Sequence, residues 1–328
     1  MFILQEVFIY AIIKSKSMNN FIIGEIMEKV LVLGSINIDF VSFSSRYPHP
    51  GETFLCDDFG IFQGGKGANQ AIALAKLDIP TIMLGKTGND MLGDFALSSL
   101  QKNGVDTSEI LKTRTVSTGS ASIWVNAEGQ NSILVYTGAN GEVNKELIER
   151  NEKIFNKTSW FLTQFEIPLE SISLALKFAK KHGLKTIMDP APVKRINDPH
   201  IWKSVDYLLP NETELRELTQ TEDIVAAIQL LKSWGVKEVV VKLGEKGAGY
   251  EDNGELILFP AVQVEKVVDT TGAGDCFVAG FLYSMTQKNN IAQAIKTGNL
   301  TASYSIQKKG ASISFPGKAE IDWSLIVD

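Results

Sequence analysis

Residues 64–88 read GGKGANQAIALAKLDIPTIMLGKTG, and the change of rhythm within them decides the fold. GANQAIALAKL reads as a helix, and TIMLGKTG as a short apolar strand. Upstream, KVLVLGS (29–35) is a β-branched strand of the same kind. Downstream, DMLGDFALSSLQKNG is a helix closed by Gly104, SWFLTQFE a strand, and LESISLALKFAKKHG a helix ending at Gly183. KTIMDP and VDYLLP read as strands, ETELRELT and DIVAAIQLLKSWG as helices, and EVVVKLG as a strand. Such alternation predicts an α/β fold, a doubly wound and mostly parallel sheet flanked by helices. Ligands in such folds gather beyond the carboxyl ends of the strands.

One segment breaks the rhythm. TGSASIWVNAEGQNSILVYTG (118–138) reads as two strands around a Gly-containing turn, a β-hairpin. Residues 39–62 are also long and strand-like. Together they predict a small β-sheet, a lid built from about 39–62 and 117–138; a meander at the sheet edge is the plainer alternative. Without a repeat, low-complexity stretch or linker, 27–328 is one domain with an excursion.

The chain has 328 residues, is 44% hydrophobic and carries a formal charge of −6. That is ample for a core, and the mild acidity argues against a nucleic-acid surface. The two cysteines, Cys56 and Cys276, are far apart, which excludes a disulfide framework and suits a reduced, cytoplasmic setting. Three scattered histidines make a His-ligated metal or a His-based triad a poor reading. FILQEVFIYAII (2–13) is apolar but too short to span a bilayer, and its basic residues follow the run, so 1–26 reads as an extension outside the fold, with no membrane role.

The chemistry concentrates in a few loops. DTTGAGDCF (269–277) has Gly272 and Gly274 for a tight turn and an apolar helix that reads as starting at Cys276, so backbone N–H groups of Thr271 to Gly274 could cradle an anion. Yet Asp269 and Asp275 place two carboxylates there. GGKGANQA (64–71) brings backbone close to a ligand at a helix start, with Asn69 on the first turns; a plain Gly-rich junction is the alternative. In NID (37–39), Asn37 and Asp39 point to one side of an extended chain, which suits a polyhydroxylated ligand, though Asx residues also form turns. Glu166 closes FLTQFE and is ambiguous alone. In PNETE, Asn211 and Glu214 form a near capping box. KLGEKG (242–247) could be a simple hairpin turn, and Cys276 a small packing residue rather than an activated thiol. G60-IFQG-G65-K66 lacks the hydroxyl residue of a Walker A loop, and no G-x-G-x-x-G follows the first strand.

Taken jointly, GGKGANQA and DTTGAGD resemble the two signatures of the ribokinase (PfkB) family of carbohydrate kinases, and the match runs from about Lys29 to Pro316. GSINID, PGE (50–52), QFEIP, DPAP, LLPNETE and KKGASISFP resemble further segments of its ribokinase branch, in the right order. The resemblance implies ATP-dependent phosphorylation of D-ribose at its 5-hydroxyl, with deoxyribose, a ketohexose derivative or a nucleoside as rival acceptors. A non-catalytic sugar-binding protein is the other class.

It also implies roles. Asn37, Asp39, Gly64, Gly65, Lys66, Asn69 and Glu166 would hold the sugar. Asn211, Lys242, Gly244, Glu245, Lys246, Gly247, Gly274 and Asn299 would line the nucleotide, and Glu214 would organise Mg2+ indirectly. Asp269 and Thr271, with the backbone near Ser305, Lys308, Gly310 and Ser314, would match a K+ site. Gly272, Ala273, Gly274 and Asp275 would form the catalytic loop: the N–H groups of 273–275 stabilise the transferred phosphoryl, while the Asp275 side chain takes the proton of the attacking hydroxyl. A homodimer formed through the lid is the implied assembly. Two departures stand out, Asp189 where the family carries Asn and Cys276 where Thr is commoner, and neither is expected to touch an assigned residue directly.

Overall fold

The computed structural model describes residues 28–194, 196 and 199–326; the segment 1–26 read as an extension lies outside them. Val30–Leu33 (β1) is buried along its whole length, as a strand covered on both faces must be. Val30 and Val32 face one core, under helices Lys66–Lys76, Ala273–Thr286 and Ile291–Ser305, while Leu31 and Leu33 face the other, under Leu169–Lys181 and Ile224–Trp234. The period of two along β1 thus joins both layers.

Asn37–Phe43 (β2) and Asp58–Gly64 (β3) follow, then Thr81–Gly88 (β4), Asp106–Thr113 (β5), Gly119–Val125 (β6) and Asn131–Tyr136 (β7). The second half supplies Trp160–Gln164 (β8), Lys185–Asp189 (β9), Tyr207–Leu208 (β10), Glu238–Lys242 (β11), Ala248–Asp252 (β12) and Glu255–Phe259 (β13). The large sheet has the order β13-β12-β11-β10-β9-β8-β1-β4-β5, parallel except for the β11-β12-β13 edge. Chain order reverses at β1, between β4 and β8, and the carboxyl ends of these strands open there onto one crevice.

The smaller sheet, β3-β2-β6-β7, grows directly from the end of β1. Asn37 is paired with Gly64 on one side and Gly119 on the other. Side chains at those positions would strike functional groups: a Cβ on Gly64 would lie 2.2 Å from the Asp39 carboxylate, and one on Gly119 2.3 Å from Asn37 Oδ1.

Several boundaries differ from the reading above. The strand read through Glu166 ends at Gln164, because Phe165 N turns to the Ala191 carbonyl. Only Tyr207–Leu208 of VDYLLP pairs. The helix read from Cys276 starts at Ala273, since Gly272 at φ +78° supplies the left-handed cap. The alternation gave no strand at β5 or β12–β13 and no helix at Ile291–Ser305, all of which form.

The helix Lys66–Lys76 approaches β1 more closely than any side chain allows. A Cβ on Gly67 would stand 2.7 Å from the Gly34 backbone. Gly67→Ala is therefore expected to cost about 1–3 kcal/mol, the range for overpacking a tight contact. Urea unfolding checks this, and an unchanged midpoint would contradict so close a crossing.

Candidate active site

Three strand ends and two helix starts meet at the crevice. Gln164 ends β8, Asp189 ends β9 and Lys242 ends β11, so the parallel sheet delivers an amide, a carboxylate and an ammonium to the same side. The helix Lys66–Lys76 brings Lys66, Asn69 and Gln70, and the helix Ala273–Thr286 brings Asp275.

Asp275 is buried on the first turn of its helix. Its Oδ1 accepts from Gln70 Nε2 at 2.9 Å and its Oδ2 from Asn69 Nδ2 at 3.2 Å. Lys66 Nζ stands 3.9 Å away. Burial raises the Asp275 carboxyl above its ordinary range; Lys66 opposes this, and Asp189 adds to it. Burial lowers the pKa of the Lys66 ammonium, yet the carboxylates of Asp275, Asp189 and Glu166 outweigh it and hold the ammonium well above the usual lysine range. The pair is therefore a lysine firmly charged beside a carboxylate of raised basicity.

On the sugar-facing side proposed from sequence, Asp39 is half-buried, and its carboxyl is pushed up to about 7 by burial, then by the Glu166 and Asp275 carboxylates. Asn37 is buried, and its Oδ1 accepts from Asn140 Nδ2 at 2.6 Å. Glu166 accepts the Lys66 amide at 2.9 Å and the Ser35 hydroxyl, so it fixes the loop at Gly65 and Lys66 as much as it offers itself to a ligand. Asn69 Oδ1 and Gln164 Oε1 are buried without a hydrogen-bond partner. A cavity of about 360 Å³ opens beside Asn37, Thr137, Asn140, Glu166 and Lys194.

A second cavity, of about 510 Å³, lies across the Asp275 helix start. Lys242, Gly244, Glu245, Gly247, Gly274 and Asn299 border it. Lys246 is exposed on the same turn, which also closes the β11–β12 hairpin. Asn299 donates to the Phe259 and Pro260 carbonyls, each at 3.0 Å, and so ties its helix to the end of β13. Asn211 and Glu214 form the full capping box, with Asn211 N donating to Glu214 at 2.7 Å and Glu214 N to Asn211 at 2.8 Å. Burial raises the Glu214 carboxyl, against the pull of Lys242.

Two expectations need correction. Ala273 N–H closes a turn onto the Thr270 carbonyl at 3.1 Å, which leaves Gly274 and Asp275 as the first-turn amides for an anion. Asp189, expected to stay clear of assigned residues, accepts from Lys242 Nζ at 2.7 Å and lies 3.6 Å from Lys66 Nζ. Cys276 is buried, donates to the Thr301 carbonyl at 3.2 Å and has a thiol pushed up to about 12, in keeping with a packing role.

The loop at Asp269 is drawn together by its carboxylate, which accepts Thr271 N at 2.9 Å and Gly310 N at 2.8 Å. Ser305 and Ser314 are buried nearby in sequence on the same connection; Ser314 Oγ donates to the Ala311 carbonyl, Lys308 N to the Ser305 carbonyl, and Ser305 Oγ is buried without a partner. Among the described residues, no three His, Cys, Asp or Glu side chains gather as a metal cluster.

The sequence reading misses Gln70 and Gln164, which hold Asp275 and Asp189 in place. Gln164 Nε2 donates to Gln70 Oε1 at 2.6 Å, and Gln70 Nε2 donates to both carboxylates. The signal was available: a glutamine within an otherwise apolar buried strand needs a buried partner.

A family model for pfkB family carbohydrate kinases matches residues 27–318. A ribokinase of Schizosaccharomyces pombe is 38% identical over 313 residues, covering 91% of this chain and 98% of its own. A deoxyribokinase of Salmonella typhimurium is 37% identical over 292 residues, covering 88% and 95%. Among solved structures, Arabidopsis thaliana ribokinase complexed with ribose and ATP superposes with a TM-score of 0.84 at 33% identity, covering 91% and 98%. The chain belongs to the pfkB family of carbohydrate kinases, and it is a sugar kinase, a phosphotransferase with an alcohol acceptor.

The raised Asp39 carboxyl has a measurable consequence. A folded value near 7 against 3.8 unfolded means that stability is lost as pH rises through that window, because the buried site resists ionisation. Asp39→Asn, which cannot ionise, should melt above the unaltered protein at pH 8, with the advantage gone near pH 4. Calorimetry across that range checks this, and an equal advantage at both ends would contradict the burial of Asp39.

Proposed function

We propose that this kinase transfers the γ-phosphoryl group of ATP to the 5-hydroxyl of D-ribose, with Asp275 as general base. The observation that carries the reading is the Asp275 carboxylate itself, buried beside a charged lysine on the first turn of a helix whose start borders the larger cavity. A carboxylate of raised basicity can accept the proton of an attacking hydroxyl, and Lys66 stabilises the charge as it shifts. The amides of Gly274 and Asp275 face the same helix start, where backbone donors favour developing negative charge. Gly272 keeps that turn tight: a Cβ there would meet the Phe315 ring at 2.8 Å.

On the acceptor side, Asn37, Asp39, Asn69 and Glu166, with Lys66 and the backbone of Gly64 and Gly65, offer acceptors and donors to several hydroxyls at once. The unpartnered Asn69 Oδ1 supports this, because a buried amide oxygen calls for a donor such as a sugar hydroxyl. Lys242, Gly244, Glu245, Gly247, Gly274 and Asn299 would take ATP in the larger cavity, with Lys246 on the same turn as Gly244 and Asn211 bridged to Lys242. Glu214 would hold Mg2+ indirectly, and the ion would supply charge neutralisation at the phosphates. The Asp269 carboxylate and Thr271, with backbone carbonyls near Ser305, Lys308, Gly310 and Ser314, would hold K+; these oxygen donors and an unpartnered Ser305 hydroxyl fit such an ion. The small sheet would close as a lid and join two copies, since Trp124, Ile133, Leu134 and Tyr136 leave apolar surface exposed on it.

ADP release with ATP and a panel of D-ribose, 2-deoxy-D-ribose, a ketohexose and a nucleoside tests the reading. D-Ribose is expected to give the highest kcat/KM, and preference for another acceptor would overturn the assignment. In the same assay Asp275→Asn should lose ~10²-fold or more in turnover, the general-base contribution, with sugar binding retained. A variant keeping a third of the activity would remove Asp275 from that role.

The cation gives a separate check. Exchanging K+ for Na+ should lower turnover and returning K+ restore it. Indifference to K+ in an active enzyme would count against the Asp269 site.

A further inference from the structure

Asp189 is a fully buried charged side chain of the crevice that has no part in the scheme above. Its three near neighbours are Lys242 Nζ at 2.7 Å, Gln70 Nε2 at 2.9 Å and Lys66 Nζ at 3.6 Å. Burial would push its carboxyl up, but Lys242, Lys66 and Gln70 hold it below the usual range, so it is ionised in place. Lys242 in turn borders the larger cavity, with Nζ 3.7 Å from the position a Cβ on Gly274 would take. An ammonium at a helix start is well placed for an anionic ligand, yet its partner here is a carboxylate of the protein.

We propose that Asp189 competes with the nucleotide phosphates for the Lys242 ammonium and thereby sets a deliberately weak nucleotide affinity. This rests on the reading of the larger cavity as a nucleotide site. A lysine stem is flexible enough to swing between two anions, and the charge-assisted bond to Asp189 is lost or shared when phosphate arrives. Free energy spent in that exchange is subtracted from binding, and it is returned when the nucleotide product leaves. Asp189 thus acts through Lys242 and need not touch substrate.

The test is calorimetric titration with ADP of four proteins: the unaltered chain, Asp189→Asn, Lys242→Met and the double variant, with melting curves to verify folding. Asp189→Asn should bind ADP at least about fivefold more tightly, the lower end of typical coupling. In the Lys242→Met background the same change should move affinity by less than about twofold, because the contested ammonium is gone. Equal tightening in both backgrounds would assign the effect to direct repulsion and overturn the competition, as would unchanged or weaker ADP binding by Asp189→Asn. ADP binding by the unaltered chain keeps the nucleotide reading standing in either case, whereas no ADP binding at all would bring down both. Should a variant fail to fold, the unaltered protein crystallised with and without ADP decides: Lys242 Nζ is expected to turn from Asp189 to a phosphate oxygen. Retention within about 3 Å of Asp189 with no phosphate contact would refute the proposal.

Discussion

One buried amide holds the site together. Gln70 Nε2 donates to Asp189 Oδ2 and to Asp275 Oδ1, each at 2.9 Å, while Gln70 Oε1 accepts from Gln164. Two carboxylates that share one nitrogen repel each other, and the arrangement persists because Lys66 and Lys242 stand on its open sides. Removal of the amide would leave two buried anions without a common donor, a cost of several kcal/mol by the usual penalty for unsatisfied charge. Strand β8, strand β9 and two helices are thereby locked in mutual position, and the base of the proposed reaction inherits its place from that lock.

The same lock explains why the charges are tolerated. Carboxylates of Asp39, Glu166, Asp189 and Asp275 lie close enough to influence one another, with Asp189 and Asp275 buried and Asp39 and Glu166 half-buried. Raised basicity at Asp275 and Asp39 follows from burial first and from like charge second. An arrangement that costs stability when empty is suited to a site whose ligand brings hydroxyl donors on one side and phosphate on the other.

Strands β1, β4, β8, β9 and β11 were legible because each is apolar on both faces. β5, DTSEILKT, is an edge strand with only Ile110 buried, so it lacks that mark. The β12–β13 hairpin did carry a signal, the Asn253-Gly254 pair whose positive φ values suit a tight hairpin turn. Ile291–Ser305 contains Gly298 and several hydroxyl residues that disfavour a helix. Gly298 is required there by packing: a Cβ would meet the Phe277 ring at 2.8 Å. The site motifs announced Asp275, Lys66 and Asn69, but the partners of Asp189 depend on which strand ends adjoin. Only the strand order brings the ends of β9 and β11 to either side of β10, with Lys242 reaching across.

The central claim, that one helix start carries both a base and an anion site, is most directly tested by a crystal structure with ADP, D-ribose and aluminium fluoride. The account predicts the sugar 5-hydroxyl within hydrogen-bonding distance of the Asp275 carboxylate, and the fluoride group on the amides of Gly274 and Asp275. A fluoride group held elsewhere, or a sugar whose hydroxyl faces away from Asp275, would contradict it.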